Sequence, residues 1–179
     1  MTTEELVIAA IRVAGSLPVL RWPFYGALLA IFVDLSDLFW MDALHLGGVR
    51  DYQAFDKRID LMYMAAFLAV ALRWQGLARS VALALFAWRA IGLTAFEVTG
   101  ERAVLLAAPN VFEFWFVLVA ARDRFRLRYA LTPRRAALWL VPLTAAKETQ
   151  EYVLHFWRGL DEYGFFEFWA RVWQALTPW

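Results

Sequence analysis

The chain contains no cysteine, only two histidines among 179 residues, and no stretch longer than 12 residues without a charged side chain. The first absence excludes a disulfide framework, a thiolate metal site and a cysteine nucleophile. The second leaves His45 and His155 as the only imidazoles, which fall in different segments. The third sets the chain apart from a simple membrane anchor, whose span is an apolar run of about 18 or more residues. Charge of one sign is also missing. Lys and Arg number 18 against 17 Asp and Glu, a formal net charge of +1 that gives no basic footprint for wrapping nucleic acid. Searches for G-x-S-x-G, the Walker A loop, H-E-x-x-H and G-x-G-x-x-G find none of them.

What is present is apolar mass. Hydrophobic residues make up 62% of the chain and charged ones 20%, against about 45–50% and about 25% in soluble domains. Mean hydropathy is +0.50, and there are ten tryptophans. These figures exclude disorder and predict an all-α, polytopic transmembrane helix bundle. The competing reading is a soluble all-helical protein with an unusually large core. Five stretches have the length to cross a hydrocarbon layer of about 30 Å: 22–41, 55–75, 80–98, 103–121 and 136–156. They form one transmembrane domain, with the five-span bundle over 22–156 and an amphipathic, interfacial segment at each end. Residues 1–21, with Glu4, Glu5, Arg12 and Arg21, read as a helix on the membrane surface rather than a signal peptide. Residues 160–179, with Phe165, Trp169, Trp173 and Trp179 beside Glu167 and Arg171, read as an aromatic interfacial helix. A tilted sixth span is the alternative for that segment.

Basic residues concentrate in loops that stay in the cytoplasm. The loop after the fourth span carries Arg122, Arg124, Arg126, Arg128, Arg134 and Arg135. Placing it inside groups Arg12, Arg21, Arg73 and Arg79 with it, ten in all, and leaves six basic residues outside. The expectation is a multi-pass protein of the plasma membrane with its N-terminus cytoplasmic and its C-terminus outside. The acids then fall mostly in the outer half.

Within that half the sequence points to a polar binding constellation. Asp34 and Asp37 are three apart and share one face of a helix. Two acids so close repel, so they call for a shared proton or an added cation; a helix end reaching headgroup water is the simpler alternative. Asp56 and Asp60 share a face four residues apart, beside Lys57 and Arg58. Arg89 has nine uncharged residues before it and seven after it, a depth at which an unpaired charge costs from about 3 to above 10 kcal/mol. It therefore needs a carboxylate, with Glu113 the expected partner, Asn110 on the same face as Glu113, and Glu97 at the end of the arginine's own span. Lys147, Glu148, Glu151 and His155 form a polar seam on the fifth span, but their spacing matches no zinc or di-iron motif. No metal, cofactor or catalytic residue is assigned. The expected partners are the lipid bilayer and either other membrane subunits or further copies of the chain; nucleic acid is not among them. Three functions follow. One is binding or transport of a proton, cation or polar head group; another is a structural or accessory subunit of a membrane complex; the third is an outer-leaflet lipid-modifying enzyme.

Overall fold

A computed structural model describes residues 2–37, 39–40, 52–101, 103–155 and 173–174. These are helical, with no strand among the described residues. Helix α1 covers Thr3–Ser16, and Thr2 starts it with a capping box: Glu5 N donates to Thr2 Oγ1 at 3.1 Å and Thr2 N donates to Glu5 Oε2 at 2.9 Å. A 3-10 turn, Leu17–Leu20, with Pro18 near its start, reverses the chain into α2, Pro23–Leu35. The two helices close tightly because Gly26 has no side chain: a Cβ there would lie 2.3 Å from the backbone nitrogen of Val19. Helix α3 spans Tyr52–Ala71 and α4 spans Gly76–Thr99. The short α5, Ala103–Ala107, is separated from α6, Val111–Arg124, by a break at Ala108, Pro109 and Asn110. Proline at 109 explains the break, because its ring and missing N–H interrupt the helical ladder. Helix α7, Pro133–His155, carries Pro142 inside it.

Helix α6 is central, touching α2, α3, α4 and α7. Its buried Phe112, Trp115, Phe116 and Val119 meet Phe67 and Met64 of α3. Phe67 stacks on Phe116 at 4.3 Å, and the buried Trp115 indole donates to Ala78 O at 3.1 Å. The outward faces are also apolar. Phe32, Trp88, Ile91, Val98, Leu138 and Val141 are all exposed.

Among the described residues, two helical stretches are long and apolar enough to cross a membrane: Gly76–Thr99, and Ala103–Arg124 taken across its break. The third and fourth expected spans lie within them. The other expected spans overlap α2, α3 and α7 with shifted ends; α2 stops at Leu35, about 20 Å long at 1.5 Å per residue. The segment 160–179 lies outside the described residues except for Trp173 and Gln174.

Helix α1, in the segment expected to be amphipathic, packs against α2 and α3, with Ile8, Arg12 and Gly15 buried. It also runs antiparallel to α2, since Gly15 faces Val33 while Arg12 reaches Asp37.

Candidate functional site

Two polar clusters occupy the bundle. The first is built on Arg12. Its Nη1 donates to Asp37 Oδ2 at 3.0 Å and to Asp56 Oδ1 at 2.9 Å, and its Nη2 to Asp60 Oδ1 at 2.6 Å. Nη2 also forms an ion pair with Asp34. Three helices make this convergence. Asp56 and Asp60 are one turn apart on α3, Asp34 ends α2, and the turn at Ser36, whose hydroxyl donates to Val33 O at 2.6 Å, brings Asp37 round. The pairing expected within Asp34 and Asp37, and within Asp56 and Asp60, is thus one site. The cation that the acids call for includes the chain's own guanidinium. Sequence reasoning missed it by counting Arg12 with the cytoplasmic arginines.

The first cluster carries more carboxylates than described cations. One oxygen each from Asp34, Asp56 and Asp60 lie within 4.8 Å of one another, a spacing suited to holding a cation. Asp37 is 1% exposed, and its Oδ1 has no hydrogen-bond partner among the described residues. A buried carboxylate oxygen with no donor is a costly arrangement, because desolvation of the charge is not offset.

The second cluster sits at the break between α5 and α6. Arg89 on α4 donates to Ala108 O at 2.8 Å and lies 3.5 Å from Glu151 on α7. Glu151 Oε1 in turn accepts from the backbone N–H of Asn110 at 3.1 Å. The break leaves carbonyls free at the end of α5 and N–H groups free at the start of α6; Arg89 meets the former and Glu151 the latter, in the sense the helix dipole favours. Gly92 permits this approach, since a Cβ there would stand 2.3 Å from Ala108 Cβ. Lys147 Nζ pairs with Glu113 Oε2 at 3.1 Å and donates to Gln150 Oε1 at 3.0 Å. Glu113 Oε2 also accepts from the Tyr63 hydroxyl at 3.1 Å and from Asn110 Nδ2 at 3.2 Å.

The expected Arg89–Glu113 pair is therefore corrected: Arg89 pairs with Glu151, and Glu113 with Lys147. Glu151 meets Arg89 at the break, where the Asn110 N–H at the start of α6 bonds the same carboxylate oxygen. Asn110 is where the sequence put it, bonded to Glu113. Two expected members are elsewhere. Glu97 is exposed and pairs with Arg58 at 3.3 Å, and Glu148 is half-buried outside both clusters. The His155 side chain lies outside the described residues. Tyr63 was not anticipated. It lies one turn beyond Asp60 on α3, the position from which an aromatic hydroxyl extends that acidic face.

The chain matches no protein family, no curated protein and no solved structure.

Proposed function

We propose that this chain is a multi-pass integral membrane protein that binds a proton or a cation, free or as the cationic part of a polar head group, at the Arg12–aspartate cluster. The membrane part rests on the two long apolar helices and on the apolar outward faces. The binding part rests on one observation above the rest. Asp37 Oδ1 is buried without a donor among the described residues, beside Asp34, Asp56 and Asp60, which bring one oxygen each within 4.8 Å of one another where the cluster's carboxylates outnumber its described cation. Ionisable groups at such depth are functional candidates by default.

The orientation we favour keeps the arginine-rich end cytoplasmic: Arg21, Arg73, Arg79 and the 122–135 segment all lie at turns on that end. The antiparallel pairing of α1 with α2 then puts Thr2 and the acidic cluster at the opposite, outer end. This replaces the cytoplasmic N-terminus expected from residue counts.

A test uses the protein in detergent and follows intrinsic tryptophan fluorescence on heating. Sodium, potassium, magnesium and calcium are added singly, at several pH values. The expected result is a melting temperature that rises with one cation or with falling pH, and an Asp37→Asn variant that folds but loses that response. An unchanged response in Asp37→Asn would overturn the proposal. The charge balance of the second cluster favours a structural role for Arg89, Glu113, Lys147 and Glu151, and suits an accessory-subunit reading of the whole chain. Stoichiometric partners in mild detergent extracts, together with no cation or proton response, would decide for that reading.

A further inference from the structure

The arginine-rich end holds a second feature, remote from both clusters. Helix α6 ends in a turn with Arg126 at φ 50°. Leu127 N donates to Arg122 O at 3.0 Å and Arg126 N to Asp123 O at 3.3 Å. This is the left-handed C-terminal motif usually built on glycine, and it folds Leu127 back against the last turn of the helix. Between that turn and α7 it leaves an open groove of about 420 Å³. Leu118, Leu127, Leu131 and Trp139 form its wall, and Arg122 and Arg128 line it with them.

The charge around the groove is lopsided. Residues 121–135 carry six arginines and one acid, Asp123. Arg122 uses that acid, at 2.8 and 2.6 Å. Arg124 lies over the Tyr25 ring at 5.3 Å and Arg135 over the Tyr129 ring at 4.7 Å. Arg126, Arg128 and Arg134 meet no carboxylate among the described residues. An apolar trough with guanidinium groups beside it, at the end of a helix able to cross a membrane, matches one kind of molecule: an amphiphile with hydrocarbon chains and a negative head. The geometry points to a seat for an anionic phospholipid between α6 and α7, with an acyl chain along Leu118, Leu127, Leu131 and Trp139 and the phosphate at Arg128, beside the Arg122–Asp123 pair. A nucleic acid or an acidic protein would leave the trough unfilled. The inference rests on the membrane reading above but not on the cation site.

The full chain is reconstituted into lipid nanodiscs of phosphatidylcholine, alone or mixed with phosphatidylglycerol, and the lipids retained after detergent release are counted by native mass spectrometry. Phosphatidylglycerol is expected to be held preferentially. An arginine beside an anionic head group contributes about 1 kcal/mol, so Arg128→Gln should reduce that preference about fivefold. Leu127→Asp, at an exposed position, should abolish it, because a carboxylate in the trough repels the head group and breaks the apolar wall. Arg134→Gln, which does not line the groove, should keep most of it; an equal loss in Arg134→Gln would reveal diffuse attraction to the basic segment and overturn the seat. Equal retention of the two lipids would also overturn it while leaving the membrane reading intact. Displacement of the lipid by inorganic phosphate, or equally tight binding of an RNA oligonucleotide by lipid-free protein, would likewise overturn it. A chain that stays soluble without detergent and never enters nanodiscs would remove the membrane reading as well.

Discussion

The two polar clusters use similar residues to opposite ends. At the break between α5 and α6, two cations, Arg89 and Lys147, face two carboxylates, Glu151 and Glu113, and the same groups close the ends of an interrupted helix. At the other cluster, four aspartates converge on one guanidinium. The first arrangement is balanced in charge, although Arg89 Nε, Asn110 Oδ1 and Glu151 Oε2 meet no hydrogen-bond partner among the described residues. The second concentrates negative charge and leaves Asp37 Oδ1 without a donor among the described residues. Buried charge alone does not separate a structural site from a binding site, and unpaired polar atoms, which both clusters hold, do not either; the balance of charge does.

The largest effects should come from removing either arginine. Arg12→Met leaves four carboxylates facing one another, and Arg89→Met strands Glu151 together with the carbonyl of Ala108. Breaking a buried pair from one side costs about 3–5 kcal/mol, which heat or denaturant unfolding in detergent would register as loss of most of the folded protein. Adding Glu151→Leu to Arg89→Met should recover only part of the loss, because the α5 carbonyls remain unmet. Full recovery would show that Arg89 serves the ion pair and not the helix break.

Removing a carboxylate should separate the clusters by sign. Glu113→Gln weakens three donors' interactions at once, those of Lys147, Tyr63 and Asn110, and hydrogen bonds to a charged group are worth about 1.5–3 kcal/mol each. Their loss is partial, so a destabilisation near the lower figure is expected. Asp37→Asn removes one of four mutually repelling charges and should leave stability unchanged or raised in the same unfolding measurement. If Asp37→Asn destabilised as much as Glu113→Gln, the contrast between the clusters would disappear.

Much of this was legible before any coordinates. Asp56 and Asp60 share a face of α3 as their spacing required, and Asn110 meets Glu113 three residues on, whereas Asp37 joins Asp34 through the turn at Ser36 rather than along one helix face. Partner identity was less legible. Arg89 takes Glu151 at the break around Pro109, a tertiary contact that no spacing within one helix encodes. Arg12 is the instructive omission. It is flanked by six uncharged residues before it and eight after it, close to the pattern that singled out Arg89. The short helix and the neighbouring Arg21 drew it into a loop count, although its own flanks marked it as buried. Tyr63 was silent because an aromatic residue in an apolar run carries no sign of where its hydroxyl points.

Helix approach at the break offers a finer probe of the balanced cluster. A methyl at position 92 would lie 2.3 Å from Ala108 Cβ, so Gly92→Ala must push α4 away from the α5 end and lengthen the Arg89 bonds. Overpacking of this kind costs about 1–3 kcal/mol. The melting temperature should fall while any cation or proton response at the Asp37 cluster persists, since Gly92 lies at the other site. A lost response would mean that the two clusters are coupled through α3, where Asp60 and Tyr63 stand on one face.

The smallest effect is expected at Glu97, one of the two carboxylates of the expected constellation that lie outside both clusters. Glu97 and Arg58 are bonded at 3.3 and 3.4 Å, yet the arginine side chain is 68% exposed and the glutamate 43% exposed. Solvent screens such a pair and two long side chains lose freedom in forming it, so it contributes about 0.2–1 kcal/mol. Glu97→Gln should therefore shift unfolding by an amount close to the error of the measurement, and the shift should vanish in high salt, where exposed pairs are screened but the enclosed Lys147–Glu113 pair is not. A large, salt-resistant loss in Glu97→Gln would instead place this glutamate in a buried network.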